Sequence, residues 1–188
     1  MTNSISILTK YAIIATIVKT IHEKGEHIGR TALQKLIFLL QTLYNVNCGY
    51  EFCFYTYGPF SSEILSNIEE MEKYNALKID YINYQNGYSG YEIKPSSECE
   101  KVITIANDFL MANEEKLKSL LASFGGENAV HLELYATIVW VDRDLTVKPH
   151  KSKEELANIV KELKPKFSSE EIQRGISFIE EKKFLLTA

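Results

Sequence analysis

The stretch that decides the fold runs from residue 29 to residue 62 and reads GRTALQKLIFLLQTLYNVNCGYEFCFYTYGPFSS. Its first part predicts a helix over about residues 31–44, because Leu33, Leu36, Ile37, Leu40 and Leu43 recur at helical spacing. The aromatic run over residues 50–57 predicts a strand, and its apolar groups on both faces predict that both are covered. Gly58-Pro59 ends that strand, and the hydroxyl of Ser61 or Ser62 is expected to cap the next helix.

The flanking segments predict more helices and one further hairpin. Helices are expected over about residues 5–24, 62–75, 127–144, 152–163 and 168–183, and a long one from Ser97 to about Phe124. Residues 77–84 and 91–94 predict two strands that pair across a glycine-containing turn at residues 85–90. A hairpin directly after a third helix is typical of the wing of a winged helix.

The predicted fold class is α+β and mostly helical. An N-terminal winged helix-turn-helix with a small β-hairpin wing is expected over residues 1–95, with a C-terminal helical bundle over residues 96–188 packed on it. The sequence leaves open whether the second part is a degenerate repeat of the same three-helix unit. Phe60-Ser61-Ser62-Glu63 recurs as Phe167-Ser168-Ser169-Glu170, and Tyr11-Ala12 as Tyr135-Ala136, but any two capped amphipathic helices match about this well.

Composition narrows the class of protein. Of the 188 residues, 45% are hydrophobic and 24% charged, which is ordinary for a globular protein and excludes a disordered chain. The net charge of −4 argues against a non-specific DNA binder, which needs a basic surplus. Three cysteines without paired spacing predict a reducing, cytoplasmic location. No charged leader or apolar run of membrane-spanning length is evident, so no membrane partner is expected.

The run at residues 31–41, followed by the aromatic strand and its Tyr57-Gly58-Pro59-Phe60-Ser61 turn, resembles the YwgA-like proteins of bacteria and archaea. The tail at residues 161–172, KELKPKFSSEEI, resembles the same proteins. A more distant similarity is to the Panacea antitoxin domain, which has a comparable lysine-leucine helix and Tyr-Gly-Pro turn. The second resemblance implies toxin neutralisation or phage conflict. Neither resemblance implies a catalytic residue.

No pattern in the sequence predicts catalysis, a cofactor, a metal or a small-molecule substrate. Nucleophile-elbow, phosphate-loop and zinc-protease motifs are absent. A zinc site made of Cys48, Cys53, His22 and His27 lacks the usual close pairing of ligands, so both cysteines are expected to be small buried hydrophobes. The Asp142-Arg143-Asp144 run is expected to be a solvated charged helix end. The chain is therefore predicted not to be an enzyme.

Clustered tyrosines are the candidate partner-binding residues. Tyr84 and Tyr88 lie near the tip of the predicted wing, whereas Tyr81 and Tyr91 are expected to pack inward across the hairpin. Tyrosine anchors protein interfaces at low entropic cost. The candidates for a protein partner or self-association are Tyr55, Tyr57, Tyr84 and Tyr88.

Nucleic-acid binding is the alternative. The residues expected to face outward from the third helix are mostly acidic: Glu63, Ser66, Asn67, Glu69, Glu70, Glu72 and Lys73. Carboxylates there would repel phosphate. The basic candidates lie elsewhere: Arg30, Lys35, Lys151, Lys153, Lys164, Lys166 and Arg174.

The favoured function is therefore a non-enzymatic regulatory or interaction protein of the winged-helix class. An antitoxin-like or phage-defence component that binds a partner protein is its specific form. Its acidic third helix would attract a cationic partner. A DNA-binding transcriptional regulator is the alternative, which fold analogy favours.

Overall fold

The computed structural model describes residues 5–83, 89–143 and 152–186. The elements are α1 (Ile7–Glu23), α2 (Arg30–Leu43), β1 (Cys53–Tyr55), β2 (Gly58–Phe60), α3 (Ser62–Lys73), β3 (Leu77–Asn83), β4 (Ser89–Pro95), α4 (Cys99–Ile105), α5 (Asn107–Ala112), α6 (Glu114–Phe124), α7 (Ala129–Arg143), α8 (Lys153–Leu163) and α9 (Ser169–Glu181). Helices dominate the described residues, and their strands form two antiparallel hairpins. The α+β, mostly helical class is confirmed, and the winged-helix assignment stays a prediction.

Helix α1 lies at the centre of the N-terminal part. The Ser6 hydroxyl accepts a hydrogen bond of 3.1 Å from the Thr9 amide, which caps the helix start. Gly25 follows the helix with a φ of 75°, as its sequence position predicts. Apolar residues lie all around α1, so α2, α3 and α4 can pack on different sides of it.

The first hairpin differs from the expected single strand. Gly58 adopts a φ of 83°, a left-handed conformation that favours glycine, so the chain reverses across Thr56 and Tyr57 and returns as β2. Tyr55 then pairs with Gly58. The prediction that both faces of the strand are covered is wrong, because Cys53 and Tyr55 are exposed. Of the two cysteines predicted to be buried, only Cys48 is.

Strands β3 and β4 form the second hairpin, which confirms their predicted pairing. The rings of Tyr81 and Tyr91 pair across it with centroids 5.4 Å apart. Their predicted inward packing is wrong, since they are 61% and 45% exposed. They share a face with Ile79 and the buried Ile93, but they lie two residue pairs farther along the hairpin, beyond the edge of the core.

The long helix predicted before Phe124 is three helices instead. The backbone leaves helical geometry at Ala106, with φ −113° and ψ 29°, and at Asn113, with φ −117° and ψ 11°. Because the segment bends at these two residues, each of α4, α5 and α6 contacts α1. A straight helix over the same residues would contact α1 only along its first few turns.

Helix α7 is the centre of the C-terminal part and packs against α2, β2, α8 and α9. Helices α8 and α9 each begin with a capping box, formed by Ser152 with Glu155 and by Ser168 with Glu171. The charged end of α7 is not the solvated terminus that was expected. The buried Asp142 carboxylate accepts a 2.9 Å hydrogen bond from the Leu186 amide, which ties the C-terminal segment to α7.

The aligned tyrosines of the two parts make corresponding contacts. Tyr11 of α1 donates a hydrogen bond to Glu70 of α3. Tyr135 of α7 stacks on Phe178 of α9, with centroids 4.4 Å apart. Glu70 and Phe178 occupy the same position when Ile68 is aligned with Ile176. The two contacts differ in kind, one a hydrogen bond and the other a ring stack, and the repeat stays a prediction.

The buried apolar side chains form one cluster that runs from α1 to α9. Trp140 of α7 packs against Phe38 of α2 and Phe54 of β1, with centroids 5.9 and 5.7 Å apart. It is the only tryptophan in the sequence. Its fluorescence therefore reports on the contact between the N-terminal and C-terminal parts.

Phe124→Ala should lower the free energy of unfolding by about 3–5 kcal/mol, because a fully buried aromatic ring is replaced by a cavity. The ring contacts Tyr135, Phe178 and Phe184. Urea unfolding, followed by Trp140 fluorescence and by circular dichroism, measures the change. Ile105→Ala is the control, since Ile105 is 58% exposed and should change stability by no more than about 0.5 kcal/mol. A Phe124 effect as small as that would contradict the described packing.

Candidate functional site

Two buried lysines hold the tip of the β1–β2 hairpin. Lys35 of α2 donates a 2.6 Å hydrogen bond to the Pro59 carbonyl. Lys164, in the connection between α8 and α9, donates to the Thr56 carbonyl. The two lysines are 2% and 3% exposed. Lys35 brings a donor to the carbonyl of Pro59, which is buried and needs a partner, and Lys164 brings one to the carbonyl of Thr56, which is an exposed residue.

Glu133 of α7 compensates the charge of these lysines. One carboxylate oxygen lies 2.8 Å from Lys164 Nζ, at an angle unsuited to a hydrogen bond. The other accepts a 2.8 Å hydrogen bond from Lys166 Nζ. Glu133 is 3% exposed, so this carboxylate is enclosed by its cationic partners. Lys166 also lies over the ring of Tyr57, 5.8 Å from its centroid.

The hairpin backbone lies directly on α7 at Gly58. A Cβ at this position would lie 3.1 Å from Thr137 Oγ1 and 3.7 Å from the Glu133 carbonyl oxygen. Glycine is thus favoured both by the positive φ and by the close approach of the Thr137 hydroxyl. On the other side, the Gln34 amide group bonds both the N–H and the carbonyl of Ser61, at 3.0 and 2.8 Å. The turn is therefore fixed along its whole length.

Burial lowers the pKa of Lys35 to about 8, because the ammonium is removed from water. Glu133 opposes this shift and the positive charge of Lys164 adds to it. A lysine ammonium has three N–H donors. Among the described residues, the Pro59 carbonyl is the one acceptor that Lys35 reaches.

A pocket of about 160 Å³ lies beside Lys35, below the two tyrosines of the hairpin. It is lined by Arg30, Thr31, Gln34, Lys35, Tyr55, Tyr57, Gly58, Phe60 and Leu65. Within the described residues, the guanidinium of Arg30 makes no hydrogen bond. It stacks over the Tyr91 ring at 4.3 Å, and its nearest carboxylate, that of Glu69, is 3.9 Å away.

The structure brings together residues that the sequence assigned to two different functions. Tyr55 and Tyr57 are 61% and 59% exposed and line the same pocket as Arg30 and Lys35. We call this surface the hairpin face: Tyr55, Tyr57 and the pocket beneath them. Lys164 and Lys166 support it from below.

The other predicted site residues lie elsewhere. Lys153 pairs with Glu180 at 2.5 Å, and Arg174 lines a separate pocket with His131 and Glu171. Tyr84, Tyr88 and Lys151 lie outside the described residues.

Glu133 and its contacts were missed from the sequence. The signal that marks both Glu133 and Lys35 is an ionisable residue inside an apolar helical run, between Leu132 and Leu134 and between Leu33 and Leu36. Such a residue is rarely buried without a partner. Nothing in the sequence pairs Lys35 with a carbonyl of the hairpin or Glu133 with Lys164.

The outer surface of α3 differs from its prediction. Asn67, expected to face outward, is buried and donates a 3.0 Å hydrogen bond to the Tyr50 hydroxyl. Carboxylates of α3 contact neighbouring elements: Glu63 pairs with Lys10 at 2.6 Å and Glu72 accepts from the Ile79 amide at 3.1 Å. They therefore hold α3 in place in addition to making its surface acidic.

A larger groove of about 540 Å³ lies between α1 and the α4–α6 segment, with Leu110, Met111 and Leu117 among its apolar lining residues. It contains none of the predicted site residues and no buried ionisable group. Over residues 5–83, 89–143 and 152–186, no three His, Cys, Asp or Glu side chains lie close enough to hold a metal ion. No helix in these ranges is long and apolar enough to cross a membrane.

Comparison with known proteins agrees with one of the two resemblances. The chain is 27% identical over 170 residues to the uncharacterised protein YwgA of Bacillus subtilis (strain 168), an alignment that covers 90% of this chain and 95% of that protein. The predicted similarity to YwgA-like proteins is supported. No family model matches the chain. The similarity to the Panacea domain stays a prediction.

The pKa of Lys35 makes stability depend on pH in a defined direction. Between pH 8 and 10.5 the unfolded chain holds the Lys35 proton more tightly than the folded chain, so stability rises with pH. The free energy of unfolding of the wild type, minus that of Lys35→Met, should be flat below pH 8 and should rise by up to about 3 kcal/mol by pH 10.5. Urea unfolding across this pH range measures it. A difference that stays constant or falls would show that the ammonium is not desolvated.

Proposed function

We propose that this chain, which is similar to YwgA, is a non-enzymatic regulatory or interaction protein that binds a partner protein through the hairpin face. The observation that carries the proposal is the combination of two exposed tyrosines with a rigid backbone. Tyr55 and Tyr57 flank a turn whose carbonyls are hydrogen-bonded by buried lysines.

Rigidity matters because association requires the contacting groups to be ordered. A flexible loop must lose conformational freedom on binding, whereas a fixed turn has already lost it on folding. Tyrosine supplies a large contact area with few rotatable bonds and a polar hydroxyl at its end. Single exposed tyrosines are common on protein surfaces. Two of them on a fixed turn, beside an apolar pocket, favour a binding role.

The charge of the hairpin face indicates the chemistry of the partner. Four basic residues lie at or below it, namely Arg30, Lys35, Lys164 and Lys166, against the acidic Glu69 and Glu133. This local excess of two positive charges contrasts with a net charge of −4 for the whole chain. Because Lys35 and Lys164 are enclosed, Arg30 and Lys166 are the cations of this face that a partner can contact, and an acidic group on the partner would be attracted to these two.

The resemblance to the Panacea domain supplies a specific form of the proposal. In that form the chain is antitoxin-like or part of a phage-defence system, and the hairpin face covers part of a toxin or phage protein. The winged-helix assignment belongs to the same proposal. The order α1, α2, the β1–β2 hairpin, α3 and the β3–β4 hairpin supports it.

A DNA-binding regulator is the second candidate, and the same element order favours it. The recognition helix would be α3, whose carboxylates would face phosphate. Of the basic candidates, Lys35 and Lys164 are enclosed, and Lys153 and Lys166 pair with carboxylates. These contacts favour the protein-binding proposal.

Replacing both Tyr55 and Tyr57 with serine should leave the midpoint of thermal unfolding nearly unchanged, since both rings are largely exposed. It should weaken partner binding by about 2 kcal/mol or more, a roughly 30-fold rise in Kd, as the loss of interface anchors does. Proteins retained from an extract of the source cells by the wild-type chain would first be identified. The Kd of the purified partner would then be measured by calorimetry.

The matched control carries serine at Tyr74 and Tyr81, which are 69% and 61% exposed and lie away from the hairpin face. This control should bind the partner like the wild type. A partner that is bound equally by the Tyr55/Tyr57 variant and lost by the control would contradict the proposal. Retention of a second copy of the chain alone, with the same dependence on Tyr55 and Tyr57, would show self-association.

The DNA alternative has its own test. The wild-type chain should show no salt-dependent retention of a random duplex in a filter-binding assay, because α3 is acidic and the enclosed lysines cannot reach a phosphate. Reversing Glu69, Glu70 and Glu72 to lysine should strengthen binding only modestly. Tight wild-type binding at low salt that weakens steeply as salt rises would favour the regulator instead.

A further inference from the structure

We propose that two copies of this chain associate around a two-fold axis through the groove between α1 and the α4–α6 segment. Each copy places the Met111 side chain in the groove of the other, and α6 of one copy runs antiparallel to α6 of the other. The groove and the pocket of the hairpin face have no lining residue in common. This association is therefore separate from the partner binding proposed above.

The groove has an apolar floor. Its volume is about 540 Å³, and its lining includes Leu110, Leu117 and Leu121, each no more than 8% exposed. Apolar surface at a groove is in contact with water until another apolar group covers it, and covering it is favourable.

Met111 is the protruding apolar group beside this groove. It belongs to the lining and is 66% exposed. A single exposed apolar side chain is common on protein surfaces. Here the same chain carries both the exposed side chain and, next to it, an apolar groove that can receive one. A two-fold axis satisfies both at once, because each contact from the first copy to the second is repeated from the second to the first. Methionine suits this role, since its flexible side chain fills irregular spaces.

The charges of α6 fit a second copy in one antiparallel register. Glu114 and Lys118 both line the groove and are four residues apart, so they lie on the same face of α6. Within one copy their charged atoms are 2.8 Å apart, and both side chains are more than half exposed. When two copies of α6 run antiparallel around an axis between these residues, Glu114 of each copy lies opposite Lys118 of the other. Opposite charges then face each other at two places.

The same register also brings apolar groups together. With Glu114 opposite Lys118, Met111 lies opposite Leu121 of the second copy, and Leu121 belongs to the apolar floor of the groove. Charged and apolar residues thus favour one and the same pairing. A groove for an unrelated protein would not need charges that exchange places under a two-fold rotation, so a second copy is the occupant that these residues favour.

The first measurement is sedimentation velocity of the full chain at low ionic strength. Two short helical segments form an interface near the small end of specific interfaces, so a dimer Kd on the order of 10 μM is expected. Dimer should therefore predominate well above this concentration. A wild-type chain that stays monomeric at roughly 50 times this concentration would overturn the inference.

Charge reversal tests the register. Glu114→Lys leaves two lysines on this face of α6 and Lys118→Glu leaves two glutamates, so each variant alone should dimerise at least about tenfold more weakly than the wild type. An equal mixture of the two variants should associate again, because each lysine then lies opposite a glutamate. The double variant with both changes should associate as well. Single variants that dimerise like the wild type, or a mixture that stays monomeric, would overturn the inference.

Lys101→Glu is the matched control for the charge reversals. Lys101 pairs with Glu98 at 2.6 Å in a similar exposed pair that lies outside the groove lining. The dimer Kd of this variant should equal that of the wild type. A loss of association as large as that of Lys118→Glu would show a general effect of charge and would contradict the pairing.

Met111→Ser tests the apolar contact and should raise the dimer Kd by about tenfold or more. Leu186→Ser is its control, since Leu186 is 67% exposed and does not line the groove. Both replaced side chains are largely exposed, so the midpoint of thermal unfolding should stay close to that of the wild type. Equal dimer Kd values for these two variants would overturn the role of Met111.

The outcomes separate this inference from the proposed function. Dimerisation that is lost with serine at Tyr55 and Tyr57 but kept in Met111→Ser would place self-association on the hairpin face and overturn the groove dimer. Dimerisation with the charge dependence given above, with no partner protein retained by the hairpin face, would support the groove dimer and remove the proposed partner.

Discussion

The position of the β1–β2 hairpin depends on the buried carboxylate of Glu133. It balances the enclosed Lys164 and pairs with Lys166, and Lys164 in turn holds the Thr56 carbonyl of the turn. Removing one member of such a group leaves an uncompensated buried charge, which commonly costs about 3–5 kcal/mol. The hairpin face therefore exists only when α7, the α8–α9 connection and the hairpin are docked together. Through Lys164, this carboxylate is linked to Thr56, which lies 108 positions before Lys164 in the chain.

The need for buried lysines follows from the backbone of the hairpin. A two-stranded hairpin leaves carbonyl groups at its turn without strand partners, and here the turn lies against α7, where Gly58 approaches the Glu133 carbonyl and the Thr137 hydroxyl. Enclosed carbonyls require donors. An apolar residue in place of Lys35 would leave the carbonyl of the buried Pro59 without its donor. Each lysine also brings a positive charge into a buried site, which is unfavourable. The lowered pKa of Lys35 is a result of this burial.

Sequence reasoning succeeded where local pattern determines structure. The apolar period of α2, the glycine after α1 and the serines that cap α8 and α9 each act within a few residues, so these elements and their starts were predictable. Strand β2 was not predicted because a strand of three residues, Gly58–Phe60, is too short to show an alternating apolar pattern. The bends at Ala106 and Asn113 were missed because packing around α1 imposes them on a segment with helical spacing. The Glu133 contacts were missed because they join distant segments, and only an ionisable residue inside an apolar run pointed toward them.

The two hairpins differ in ways that explain why a binding role is proposed for the β1–β2 hairpin and not for the β3–β4 hairpin. In the β3–β4 hairpin, Asp80 and Glu92 lie opposite each other, an unfavourable pairing of like charges that Lys94 relieves by contacting Asp80 at 3.2 Å and Glu92 at 2.7 Å. Its exposed rings, Tyr81 and Tyr91, pack edge to face across the strands, and the Arg30 guanidinium stacks on the Tyr91 ring. In the β1–β2 hairpin, the Tyr55 ring packs against Phe60 of the same hairpin, and Tyr55 and Tyr57 remain exposed beside the pocket. Charged groups within the β3–β4 hairpin stabilise that hairpin. The β1–β2 hairpin is instead held by Gln34, Lys35 and Lys164, and its Tyr55 and Tyr57 side chains stay exposed.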